Sequence, residues 1–186
     1  CCPGSIALRR WVVGQNGAFS SAGCYGYRNV AGTGTPSVHG TGRAFDVSIY
    51  NYGNSAHNAS MWYVVNRLVS KYCELNIQRI IFDSQIWNSG MGILSGPAGW
   101  QDMTANQIAR GNHADHAHIE ISLESCETLS YEEVIRVMNA STFPTKVTAP
   151  SGTNSASPTP TTTITTASSA AKTLVSTDTS GNWVPD

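Results

Sequence analysis

Two short segments far apart in the chain, residues 44–50 and 116–121, alternate apolar and polar side chains with a period of two. Successive side chains of an extended strand point to opposite faces. Phe45, Val47 and Ile49 therefore fall on one side of the first segment, and Ala44, Asp46 and Ser48 on the other. In the second segment His116, His118 and Glu120 share a face. Both patterns predict strands with an apolar back for a core and a polar front for chemistry. Between them, Met61, Val64, Val65, Leu68, Val69 and Tyr72 recur at helical spacing, which predicts an amphipathic helix over residues 56–72 packed on a sheet. The β-branched run 77–83 reads as a buried strand. Ser130 with Glu133 forms a capping box ahead of Val134, Ile135 and Met138, predicting a last helix that stops near Asn139 and Pro144. The mixed order of elements favours an α+β class: one domain with a mainly antiparallel sheet flanked by helices.

That domain is expected to occupy residues 1–143 of the 186. Beyond it, 19 of the 42 residues from Thr145 to Asp186 are Ser or Thr and four are Pro, a composition that builds no core. Residues 144–186 read as a disordered, semi-extended linker or stalk joining the domain to a missing partner module. A body of about 140 residues buries a core without covalent help.

Eleven basic side chains against 12 acidic ones leave a net charge of −1, so no broad positive field is available for nucleic acid. Only 12% of residues are charged, and solubility leans on Ser, Thr, Asn and Gly, as on secreted surfaces. No apolar window is long enough to span a bilayer. The opening Cys1-Cys2-Pro3 reads as a processed or excised piece of something longer. Five cysteines without a C-x-x-C pair fit structural disulfides in an oxidising compartment, with one thiol left over and the pairing open.

Three of the five histidines, His113, His116 and His118, crowd into six residues around Asp115. His116 and His118, two apart on a strand, point the same way. Upstream, His39 precedes Asp46 across Gly40 and Gly42, whose backbone freedom lets a turn bring the imidazole and the carboxylate together. Two neutral imidazoles and a carboxylate make a zinc site with a fourth position for water, which zinc would acidify. A base must take that water's proton. Asp115 is favoured as principal base, with His116 as its partner or as transition-state stabiliser. His113 reads as a solvent-facing loop residue, and His57 as the exposed start of the first helix. Trp87 and Trp100 are weighed between a substrate-stacking groove and the core.

The runs Gly26-Tyr27-Arg28, Ser37-Val38-His39-Gly40-Thr41-Gly42-Arg43-Ala44-Phe45-Asp46 and Asp115-His116-Ala117-His118 resemble the zinc peptidases of the D-alanyl-D-alanine carboxypeptidase family. That group also holds lysostaphin-type endopeptidases and the hedgehog signalling domain. The pattern Ser-x-His-x-x-Gly-x-Ala-x-Asp is met in full, and the branch with Asp-His-Ala-His-Ile-Glu includes secreted bacterial and fungal proteins and phage lysins. The resemblance implies Zn(2+) held by His39, Asp46 and His118, with Asp115 in the place of the acidic base. It also implies His116 where the wider group uses the first histidine of His-x-His, Arg28 on the substrate carbonyl or the oxyanion, and Ser37 either on the substrate or behind the ligands. Trp87 joins the substrate side on the groove reading above, and the 144–186 stalk would tether the domain to a wall-binding or particle module. The implied function is a secreted or virion-associated zinc carboxypeptidase or endopeptidase cutting the peptides of bacterial peptidoglycan. The rival readings are a zinc-stabilised binding domain, or a structural surface or phage-tail domain with little catalysis.

Overall fold

A computed structural model describes residues 1–30, 32–90 and 99–140; the Ser/Thr/Pro-rich segment expected to form a stalk lies outside the described residues. The chain begins with helix α1 (Pro3–Val13), which carries proline at its start, where an N–H would go unpaired anyway. Strand β1 (Phe19–Gly23), a 3-10 turn (Val38–Thr41) and strand β2 (Ala44–Ile49) follow. Next come α2 (Ser55–Ser70), α3 (Tyr72–Leu75), β3 (Ile77–Phe82), β4 (Gln85–Asn88), β5 (Gln101–Asp102) and α4 (Ala105–Ile108). The described part closes with β6 (His116–Ile121), α5 (Leu123–Thr128) and α6 (Tyr131–Asn139). The six strands form one sheet in the order β1-β2-β6-β3-β4-β5, with every pairing antiparallel. The α+β class and the antiparallel sheet flanked by helices are thus as the alternation predicts.

The register explains why β2 and β6 read so clearly. Asp46 lies opposite His118, Ser48 opposite His116 and Ala44 opposite Glu120, so the polar positions of both strands share one face of the sheet. Phe45, Val47 and Ile49 fall on the other face with Ala117, Ile119 and Ile121, all buried. On that side Met61, Val64, Val65, Leu68 and Val69 of α2 join them in a single core with Leu8, Trp11 and Val12 of α1. Area removed from water on this scale is the main stabilising term for the fold.

Trp87 is corrected by the same geometry. It pairs with Ile80 on the core side of β4, is 0% exposed and packs edge-on against Tyr72, so it lines no groove. Trp100 likewise belongs to the packing: its ring meets Trp62 and its indole N–H donates to Asn66 Oδ1 at 2.9 Å. A lone tryptophan in a four-residue strand carries no periodicity, which is why sequence alone left the two sides open. The capping box at α6 is half formed. Ser130 Oγ accepts from Glu133 N at 3.1 Å, but the Glu133 carboxylate turns to Arg136 instead of reaching back.

Two disulfides, Cys1–Cys24 and Cys2–Cys126, tie the N-terminus to the loop after β1 and to α5; Cys73 is the free, exposed thiol. Helix α1 lies so close to α5 that a β-carbon on Gly4 would sit 1.9 Å from Ser125 O, so only glycine fits there. Among the described residues no helix is long and apolar enough to cross a membrane. The two disulfides are compatible with a secreted protein.

Candidate metal centre

Three side chains from separate stretches of sequence converge on the polar face of the sheet. Asp46 stands on β2, His118 faces it from β6, and His39 comes from the 3-10 turn just ahead of β2. The turn is built for this. Ser37 Oγ accepts from His39 N at 3.3 Å, Gly40 N donates to Ser37 O at 2.9 Å, and Gly42 closes the turn with φ +72°. Of the two places the resemblance leaves for Ser37, on the substrate or behind the ligands, the structure shows it behind His39, as the cap of that turn.

The three converging atoms form a near-equilateral triangle. His39 Nε2 lies 3.1 Å from His118 Nδ1 and 3.3 Å from Asp46 Oδ1, and His118 Nδ1 lies 3.0 Å from the same oxygen. Ligands about 2.0–2.1 Å from a tetrahedral zinc ion stand about 3.3–3.4 Å apart, so the triangle is close to the size of one face of such a polyhedron.

The tautomers are set from outside the triangle. His39 Nδ1–H donates to the Cys24 carbonyl at 2.8 Å, and that oxygen can only accept, so Nε2 carries the lone pair. His118 Nε2–H donates to Glu120 Oε1 at 3.0 Å, leaving Nδ1 facing inward. With Nδ1 deprotonated, two imidazole lone pairs and a carboxylate oxygen would meet at one point, an arrangement that a cation relieves. The buried group His39, Asp46 and His118 fits a divalent metal ion. Glu120 is buried too, and Arg79 Nη1 stands 3.6 Å from its Oε1. Its face was legible from the alternation; its hold on His118 was not assigned. The Cys24 carbonyl has no side-chain signature at all.

Electrostatics follow the geometry. Burial disfavours charge at Asp46, yet the hydrogen bonds with His118 and His39 outweigh it and hold the carboxyl well below its ordinary range. Burial also disfavours a charged His118, but hydrogen bonds and charge from Asp46 and Glu120 push it up to about 9. Without metal, a proton on His118, its Nδ1–H donating to Asp46 Oδ1 at 3.0 Å, supplies the missing charge.

The neighbouring candidates divide. His116, half-buried beside Ser48 on β6, is within 2.7 Å of Asp115 Oδ1 through Nδ1; the Asp115 side chain is 62% exposed, and its carboxyl is lowered by that bond. Arg28 lies on the exposed loop after β1, where its carbonyl accepts from Ser37 N at 2.8 Å, two residues from His39. Tyr27 beside it lies over Gly40, where an added β-carbon would meet its ring at 3.7 Å. His113 is not the solvent-facing residue expected: it is half-buried, its ring centroid 4.7 Å from that of His116 and 6.0 Å from that of His118. Burial, then repulsion from His116 and His118, lowers its pKa to about 4. His57 stands near the start of α2, with Nδ1–H donating to Tyr50 O at 2.7 Å.

Fold and centre together define an α+β domain whose antiparallel sheet carries, on its polar face, a two-histidine, one-carboxylate group that could hold a metal ion. Residues 1–118 match the family described as VldE, C-terminal domain, and the chain belongs to that family. The matched stretch ends on His118 and so includes the whole triad. No curated protein and no solved structure matches the chain.

Proposed function

We propose that this domain is a secreted zinc-dependent peptidase acting on the cross-linking peptides of bacterial peptidoglycan, as its resemblance to the D-alanyl-D-alanine carboxypeptidase group implies. The observation that carries this reading is the juxtaposition of a metal triad with an imidazole–carboxylate pair on the same sheet face, one strand position away. His39, Asp46 and His118 would hold the ion. A zinc ion so held supplies Lewis acidity and an acidified water.

The chain's own residues supply the rest. His116 Nδ1–H donates to Asp115, so its Nε2 is the nitrogen left to take a proton and return it to the leaving amine. Asp115 then orients and steadies that imidazole. The geometry supports this division over the reverse assignment expected from sequence, because a carboxylate that is 62% exposed and already bonded to Nδ1 is a better orienter than a base. Arg28, reaching from the loop that borders the His39 turn, would place a guanidinium against the oxyanion.

The test is digestion of purified wall peptides of defined composition, read by mass, with and without a chelator. His116→Ala should lower turnover by roughly 10²–10⁴-fold while the protein still takes up metal, and His118→Ala should abolish both. Digestion by His118→Ala as fast as by the parent would refute the reading. Tight binding of wall fragments without cleavage would favour a metal-stabilised recognition domain.

A further inference from the structure

His113 has a backbone of φ +52°, the left-handed region that a β-carbon makes costly. Its surroundings hold it there. Asp83 and Ser84, both also left-handed, form the two-residue turn joining β3 to β4, the geometry that suits a tight hairpin. The tip of that hairpin grips the loop ahead of β6: Asp83 N donates to His113 O at 2.8 Å and Ser84 N to Asn112 O at 2.7 Å. The side chain is tied as well, since His113 Nδ1–H donates to Gly111 O at 3.0 Å. Backbone and ring are thus both constrained, at a cost in local strain of the kind that clusters at functional sites.

The constraint has a recipient. His116 is the group that handles the proton in the function proposed above, and the present inference rests on that reading. Its side chain is 28% exposed and its hydrogen-bond partner Asp115 is 62% exposed. A single bond to a carboxylate open to water fixes which nitrogen carries the proton but restrains the ring's torsion only in part. The other side of His116 is occupied by the His113 ring, tilted 48° against it with centroids 4.7 Å apart.

We infer that His113 is a positioning residue: clamped by the Asp83–Ser84 hairpin tip, its ring packs against His116 and confines that imidazole to the rotamer that leaves Nε2 available beside the metal triad. On this account it is the ring's shape that matters, and its nitrogens take no part in the reaction.

Two substitutions separate shape from chemistry. His113→Asn tolerates the left-handed backbone but deletes the ring, and His113→Phe keeps a flat ring without nitrogens at some backbone cost. The primary readout is the imidazole ¹⁵N NMR spectrum of the full chain. The parent should show His116 as one tautomer, protonated at Nδ1. In His113→Asn its signals should move toward the average of two tautomers, and in His113→Phe they should return to the parent pattern. Divalent-metal affinity, measured by chelator competition, should change less than about threefold in either variant. On wall peptides kcat should fall roughly ten- to hundredfold in His113→Asn with KM little changed, and recover largely in His113→Phe. Thermal melts identify a variant that fails to fold; His113→Gly, which takes the left-handed backbone without steric cost and also lacks the ring, then replaces His113→Asn and should show the same averaged His116 signals. A His116 spectrum unchanged in His113→Asn, or a His113→Phe variant no better than His113→Asn, would overturn the inference. If the parent cuts no wall peptide, the peptidase reading fails by itself, and the NMR comparison still decides whether His113 confines His116.

Discussion

Metal uptake by this site should be a contest with a proton, and its size can be worked from the geometry. The triangle of His39 Nε2, His118 Nδ1 and Asp46 Oδ1 accepts either a divalent ion or a proton, and two carboxylates push the pKa of His118 up to about 9. At pH 7 the site is therefore protonated about 100-fold more often than not, and the ion must displace that proton. Apparent affinity is expected to rise about tenfold for each pH unit between 7 and 8.5, then level off above about 9. Calorimetric titration at pH 7 in buffers of different ionisation enthalpy should show close to one proton released per ion, falling toward zero at pH 9.5. Chelator-buffered competition gives the affinity itself and avoids metal hydroxide. Glu120→Gln sharpens the test. It removes one of the two carboxylates that raise the His118 pKa, so the levelling point should move to lower pH. The limiting affinity should also drop roughly 10–100-fold, because the imidazole loses the partner that orients it. An affinity flat from pH 7 to 8.5, with no proton released, would refute the convergence of lone pairs on which the site is built.

Further expectations follow from the same structure. The metal-free chain should be most stable below about pH 6.5 with respect to His118 and should lose up to about 3 kcal/mol as pH rises through 9, since the group is raised from 6.5 to about 9 on folding; circular-dichroism melts across that window measure it. At the acid end the Asp46 contribution is present above its ordinary 3.8 and is lost as pH falls through its lowered folded value. Cys1→Ser with Cys24→Ser opens a 23-residue loop and should cost about 3 kcal/mol in urea unfolding. Because the Cys24 carbonyl orients His39, metal affinity should weaken with it. Trp87→Ala should cost about 3–5 kcal/mol, while the folded fraction binds metal as the parent does; a loss of metal binding without loss of stability would put Trp87 back in the site.

Period-two alternation made β2 and β6 legible because each has one face in the core and one face polar. Each strand puts its own candidate ligand, Asp46 or His118, on its polar side, and the glycines after His39 make its turn readable; the capping role of Ser37 shows only in the structure. Other parts were silent for physical reasons. Helix α1 buries Leu8, Trp11 and Val12, yet its short apolar pattern is interrupted by Arg9 and Arg10 and has no polar cap, because Cys2 spends its side chain on a disulfide. The His113 position depends on a hairpin tip some 30 residues earlier in the chain, which no local pattern records. The orienting carbonyl of Cys24 is backbone, and sequence identifies only side chains.

Gly42 draws the amino terminus into the chemistry. Its carbonyl accepts from both Cys2 N at 3.2 Å and Ser5 Oγ at 2.8 Å, while a β-carbon there would press on Cys2 N at 3.1 Å. The first residues of this sequence therefore brace, from behind, the turn that presents His39. Replacing Ser5 with a side chain that cannot donate should loosen that turn and weaken any metal uptake without touching His39, Asp46 or His118.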